Sequence, residues 1–400
     1  MKVSFLLLTA LSLTSLSYGQ SNKAYAITGQ NKGNYNWSNI REIDLATGNV
    51  TSTIYEMDKT KFSMADANTK KSIGNEGVSP LSSMSAAAAY DAKNNRLFFI
   101  AMRSGELRWL DLNSKADNLK FYTGVPLVQS ANYNDEANNF TRMTIGADGY
   151  GYALTNDGNH LVRFSTGKKV IVTDLGNIID AQSNSGLSVH NKCSSWGGDM
   201  VADASGNLYL FTATHNVFVI DIKTRVASYR GSILNLPGSF STNGAAVDKD
   251  DNVIVGSANS FDGFYSVNMK TLAATKIQTS GAIYNTSDLA NSNILFQNKN
   301  NFGSADLKPE IIGNQFISIY PNPITGAQFK IGFDKIQAGT YNVVLTDLQG
   351  RTIMTKELYI RNLNQVENIS LTRKPASGMY MIKVVDSNKK SIYSDKIVIN

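Results

Sequence analysis

Short apolar runs recur along residues 24–297, separated by clusters of Gly, Asn, Asp and Ser. Each reads as a β-strand between tight turns. The clearest pattern is a strand of small apolar residues that ends in Asp. It occurs as Ala88-Ala89-Tyr90-Asp91, Thr144-Ile145-Gly146-Ala147-Asp148, Met200-Val201-Ala202-Asp203 and Ala245-Ala246-Val247-Asp248, with a weaker copy at Ser287-Asp288. A polar turn follows, such as Ala204-Ser205-Gly206-Asn207, then a strand like Leu208–Phe211 and another like Val217–Asp221. The Asp residues lie 57, 55, 45 and 40 apart. Four short strands in a repeat of that length predict the blades of a β-propeller.

The two ends of this region are each incomplete. The N-terminal part offers Ala24–Thr28, Ile40–Leu45 and Val50–Tyr55 but no small-residue strand, and Ser287-Asp288-Leu289-Ala290 supplies that strand and little more. Together they make one blade, and closing the ring this way removes open sheet edges. The count is then five blades. A sixth requires that Asn293–Gln297 begin a blade or that Phe62–Val78 hide strands. A β-sandwich or solenoid is the alternative architecture.

A second strand-rich stretch closes the chain: Gln328–Phe333, Tyr341–Asp347, Thr352–Tyr359, Gln365–Leu371, Gly378–Asp386 and Lys390–Ile399. Such density of period-two runs in about 80 residues suits a small Ig-like β-sandwich. Its motifs are Tyr320-Pro321-Asn322-Pro323, Leu345-Thr346-Asp347-Leu348-Gln349-Gly350-Arg351, Ser377-Gly378-Met379-Tyr380-Met381-Ile382-Lys383-Val384 and Lys396-Ile397-Val398-Ile399. In this order they resemble the C-terminal sorting domain, type A, of type IX secretion system cargo of Bacteroidetes, over residues 317–400. The resemblance implies that the secretion machinery is a partner of this segment. It also implies passage across the outer membrane, then release or attachment at the cell surface. The alternative is an Ig-like accessory domain that stays attached. The middle region resembles secreted propellers in outline only.

The N-terminus fits export. Lys2 precedes the apolar run Val3–Leu16, and Ser17-Tyr18-Gly19 places small residues before a cut after Gly19. The run is too short to span a bilayer, and no other stretch reads as a transmembrane helix. The expected organisation is a signal peptide at 1–19, a propeller at 20–311 and a sorting sandwich at 312–400.

Charge narrows the partners. The chain carries +6, but residues 312–400 hold 11 basic and 6 acidic residues, while 20–311 hold 26 of each. The propeller therefore has no basic excess with which to attract nucleic acid. One Cys excludes an internal disulfide framework.

Ligands of propellers meet the loops entering the innermost strands. Those loops contain Arg142, the segment His190–Asp199, Asn243 and Asp288. Trp196 is expected to stack on a sugar ring, with Arg142, Asn243 and Asp288 hydrogen-bonding its hydroxyls; the plainer alternative is that Trp196 packs the channel. His190 and Cys193 have a zinc-like spacing, but His160 and His215 fall in other blades. An isolated His and a buried thiol are expected, with no metal and no cofactor. The recurring Asp residues are expected to cap their own turns and not to bind calcium. Three roles remain open: a non-catalytic binding module for an extracellular glycan or protein, a polysaccharide lyase or hydrolase using Arg142 and His190, and a structural surface protein.

Overall fold

The computed structural model describes residues 20–297, except 33, 75–77, 129–130 and 185, and residues 317–399, except 321–323, 325, 335, 337, 348–350, 362–363, 372–374 and 388–390. The signal-peptide segment and, of the sorting motif, Pro321, Asn322, Pro323 and Gly350 lie outside the described residues. The chain divides into two units, one through Asn298 and one from Lys299.

The first unit is a five-bladed propeller. From the axis outward, blade 1 is Thr286–Ala290, Lys23–Thr28, Asn39–Asp44 and Val50–Tyr55. Blade 2 begins with Ser85–Asp91, Arg96–Ala101, Glu106–Asp111 and Leu119–Pro126. Blade 3 is Phe140–Ile145, Gly151–Thr155, Leu161–Phe164 and Val172–Asp174. Blade 4 begins with Asp199–Ala202, Asn207–Phe211, Asn216–Asp221 and Val226–Ser232, and blade 5 is Gly244–Val247, Val253–Gly256, Tyr265–Val267 and Ala274–Lys276. The five innermost strands pack on one another in cyclic order.

Ring closure joins the two ends of the unit. Thr286–Ala290 pairs antiparallel with Lys23–Thr28, in the register Ala26 to Leu289 and Ile27 to Asp288. Asn293 clips the seam: it accepts from the Ser21 amide at 2.9 Å and donates to Ser21 O at 2.6 Å. Neither source of a sixth blade becomes one. Phe62–Asp66 pairs in parallel with Leu119–Pro126 and, with Ser72–Ile73, widens blade 2 at its outer edge. Leu295 crosses beneath blade 4, where its amide bonds to Ala202 O and its carbonyl accepts from Ala204 N.

The apolar runs are continuous because each blade is buried on both faces. Five hydrophobic clusters fill the five interfaces between neighbouring blades. The strand Arg96–Ala101 shows the logic. Its side chains alternate, so Phe98 and Ile100 pack toward blade 3, while Leu97 and Phe99 pack toward blade 1. Where the blades converge there is less room, and Ala87, Ala88 and Ala89 occupy the innermost strand.

The recurring Asp residues tie down their turns. Asp203 Oδ1 accepts from the Ser205 and Asn207 amides, each at 2.8 Å, and Asp248 does the same for Asp250 and Asn252. Asp91 and Asp148 hold the equivalent turns of blades 2 and 3.

The second unit is a β-sandwich. One sheet holds Ile317–Tyr320, Gln328–Asp334 and Asn364–Ser370; the other holds Thr352–Ile360, Gly339–Asp347, Gly378–Val385 and Ser391–Ile399. Phe329, Ile331 and Phe333 face Val343, Leu345, Ile382 and Val384 in its core. Two of the sorting motifs shape it locally. Tyr380 is buried and its hydroxyl donates to Ala376 O at 2.7 Å, two residues before the exposed Gly378. Asp347 accepts from the Arg351 amide at 2.9 Å and from its guanidinium at 2.6 Å.

Candidate functional site: the propeller mouth

The loops entering the innermost strands meet the loops joining second to third strands on one face. Gly29 N donates to Asn285 O, Asn156 N to Asn139 O, and Thr242 N to Ala213 O. Beneath this mouth the predicted residues separate into a buried pair and an accessible pair.

Arg142 is wholly buried. Its guanidinium donates to Thr155 O at 2.7 Å, Asn156 O at 3.3 Å, Gly197 O at 3.0 Å and Ser195 O. It thus rivets blade 3 to the loop that enters blade 4. Burial lowers its pKa to about 9, and Asp157 and Asp199 act in the opposite direction. The group therefore keeps its charge at neutral pH, where carbonyl dipoles and nearby carboxyls stand in for water.

Asp288 is also wholly buried, and it faces a partner that the sequence pattern did not single out. That partner is Asp199, at the start of the innermost strand of blade 4. Asp199 Oδ2 accepts from the Ala245 amide at 2.7 Å and Oδ1 from the Met200 amide at 2.7 Å; the Met143 and Leu289 amides also point at it. The Ala88 amide faces Asp288. One amide from each of the five blades is thus directed at two carboxyls on the axis. Neither Asp288 oxygen makes a hydrogen bond of normal geometry. Burial pushes both carboxyls well above the usual carboxylate range, and for Asp288 the charge of Asp199 adds to the effect. Each carboxyl in such contact disfavours ionisation of the other. Close approach of the strands makes the plug tight: a Cβ on Gly244 would stand 2.9 Å from the Asp288 carbonyl carbon. Gly198, just before Asp199, has φ +96° and passes so near Phe211 that a Cβ would lie 1.9 Å from its carbonyl oxygen.

Trp196 and Asn243 remain partly exposed. The Trp196 indole donates to His190 O at 3.2 Å, and Lys192 lies over its ring at 4.9 Å. Asn243 Oδ1 accepts from the Ala258 amide at 3.0 Å and from Ser241 Oγ. His190 does not face the mouth: Nδ1 lies 2.5 Å from Asp157 O and Nε2 3.0 Å from Ile178 O. His160 contacts Asp174 at 2.7 Å and His215 contacts Phe240 O, so the three histidines stand apart.

Cys193 corrects an expectation. The thiol is exposed, not buried. It sits in the one-turn helix Lys192–Ser195, capped by Asn191 on the outer side of its loop, and Ser195 is the residue of that turn that points inward. Among the described residues no group of three or more His, Cys, Asp or Glu is placed to hold a metal ion. No helix among them is long and apolar enough to cross a membrane.

The mouth also gathers residues that the sequence reading passed over. Tyr35 and Phe261 pair with ring centroids 5.9 Å apart. Their signal was weak, since each lies in an irregular loop without a periodic neighbour.

Residues 318–400 match the secretion system C-terminal sorting domain. The match covers the sandwich and includes the motifs around Gly378, Tyr380 and Arg351, so this part of the chain is a secretion-system C-terminal sorting domain. Curated proteins provide no match to the chain. Solved structures provide distant ones. PorZ, a surface component of the type IX secretion system of Porphyromonas gingivalis, is 14% identical with a TM-score of 0.31, over 94% of this chain and 51% of that one. This chain therefore spans about half the length of PorZ. Virginiamycin B lyase from Staphylococcus aureus is 12% identical with a TM-score of 0.32, over 94% of this chain and 95% of that one. The periplasmic gluconolactonase of Pseudomonas aeruginosa is 9% identical with a TM-score of 0.33, over 94% and 97%. At such identities and scores no activity and no residue role passes from them to this chain.

Proposed function

We propose that the propeller is a non-catalytic binding module for an extracellular glycan or protein, carried to the cell surface or the medium by the sorting domain after removal of residues 1–19. The ligand enters at the mouth framed by Arg142, Trp196, Asn243 and Asp288. Arg142 and Asp288 hold the floor, and Trp196 and Asn243 line the space above it. The observation that carries this reading is the way the chemistry-bearing groups are spent. Arg142 is saturated by backbone carbonyls, both His190 nitrogens face carbonyls, and Asp199 and Asp288 close the axis below. Aromatic rings, amides and hydroxyls remain to meet a ligand, a set suited to recognition rather than proton transfer.

The test uses the full chain lacking residues 1–19. Thermal unfolding is followed against polysaccharides and matrix proteins, and the same mixtures are assayed for cleavage. A ligand that raises the midpoint and stays intact supports the reading, since binding to the native state stabilises it. Cleavage of any polysaccharide refutes it. A midpoint that no ligand moves favours a structural surface protein.

A further inference from the structure

Asn243 has a fixed orientation. Its Oδ1 receives the Ala258 amide at 3.0 Å, so the carbonyl end points into the protein. Its Nδ2 lies beside Gly197 and donates to no protein atom among the described residues. The Ser241 hydroxyl that supports Asn243 also contacts Asn259 Oδ1 at 2.7 Å, and the Ser257 hydroxyl donates to the same oxygen at 2.9 Å. Two residues further along the same loop, Phe261 meets Tyr35, which is 51% exposed. The loop is fastened from below by Trp37 Nε1 and Asn285 Nδ2, both donating to Ala258 O, at 3.2 and 2.9 Å. An aromatic pair and a pre-oriented amide donor are therefore held on three neighbouring loops of blades 1 and 5, tied together through Ala258 and Asn259. None of Tyr35, Ser241, Asn243, Asn259 and Phe261 is charged, and the nearby Asp262 is matched by Lys276 at 3.9 Å.

We propose that Tyr35 and Phe261 form a stacking subsite for an uncharged sugar ring, with Asn243 Nδ2 donating to one of its hydroxyls. A sugar presents an apolar face of C–H groups that packs on aromatic rings and an equatorial belt of hydroxyls that takes amide donors. None of these five side chains offers an anionic sugar a charge to pair with. An amide held in place before binding loses little freedom on contact. This deepens the binding-module reading and rests on it.

The test titrates the full chain lacking residues 1–19 with maltohexaose, cellohexaose, mannohexaose and chitohexaose, and with heparin and polygalacturonate, at low and high salt. At least one neutral oligosaccharide is expected to bind with an affinity insensitive to salt. Phe261→Ala and Tyr35→Ala each weaken it about tenfold or more, Phe261→Tyr restores it, and the unfolding midpoint stays near that of the parent. Asn243→Asp keeps the acceptor for the Ala258 amide, removes the outward donor, and also weakens binding about tenfold. Binding that survives Phe261→Ala, Tyr35→Ala and Asn243→Asp but fails in Trp196→Ala overturns the subsite and leaves the binding module standing. Binding of heparin or polygalacturonate alone overturns the uncharged-ligand assignment. Binding of none of the six overturns the subsite as stated; matrix-protein binding in the wider panel would then preserve the module.

Discussion

Two buried ionisable constellations set the behaviour of single residues. The carboxyls of Asp199 and Asp288 hold protons more tightly in the folded protein than in the unfolded chain, because both are buried against each other. A folded-state pKa raised above its unfolded value gives stability that is full below the ordinary carboxylate range and is lost as pH rises toward the raised value. The unfolding free energy is therefore expected to fall as pH rises above the ordinary carboxylate range, with a slope of up to about 1.4 kcal/mol per pH unit for one proton. Asp288→Asn supplies a neutral partner for Asp199. It should raise the midpoint at pH 8 and flatten the slope; an unchanged slope would show that the pair does not set the pH dependence. Arg142 itself is a rivet. Arg142→Met leaves the carbonyls of Thr155, Asn156, Ser195 and Gly197 without their donor and should cost at least about 3 kcal/mol in denaturant unfolding. Arg142→Lys should recover only part of this, because one ammonium does not span carbonyls of two blades.

At the scale of strands and loops, the sequence is informative wherever a period is imposed by burial. The alternation in Arg96–Ala101, the small residues of Ser85–Asp91 and the capped turns after Asp203 and Asp248 all follow from packing between blades, and all can be read from residue order. The closure of blade 1 was legible for the same reason: a missing strand at one end matched a surplus strand at the other. The Asp199–Asp288 contact was not legible, because it joins blades 4 and 1 across the axis and breaks the repeat instead of following it. What marks Asp199 is its place: an Asp opens a strand whose counterpart in blade 5 opens with Gly244. The outer strand Phe62–Asp66 was ambiguous because edge additions carry few buried residues. Closure itself can be tested at Leu289, which is 2% exposed and packs with Ala246 and Ile254 of blade 5. Leu289→Ala should cost about 2–4 kcal/mol in a single transition with an unchanged denaturant slope. A separate early transition would mean that blade 1 opens before the ring does.

At the scale of the whole chain, function divides between two cores. The propeller is built by its five interfaces between blades, and the sandwich has a core of its own from Ile317 to Ile399. The basic excess lies in the second unit, while the first is balanced. The sorting domain is thus a folded unit with a core of its own, and its last strand is part of that fold. Ser391–Ile399 pairs along Gly378–Val385, and Ile397 and Ile399 are buried. Removing residues 391–400 uncovers Ile382 and Val384 and should unfold the sandwich, leaving the propeller transition where it was. The truncated protein should then accumulate in the cell envelope and be lost from the surface and medium, as should a chain lacking 317–400. Tyr359→Ala separates fold from recognition, because this side chain is 59% exposed and its loss should leave the sandwich intact. Retention of Tyr359→Ala in the envelope with an unchanged unfolding profile would place part of the recognition surface on the strand Thr352–Ile360. Normal export of the chain lacking 317–400 would show instead that sorting information lies outside the sandwich.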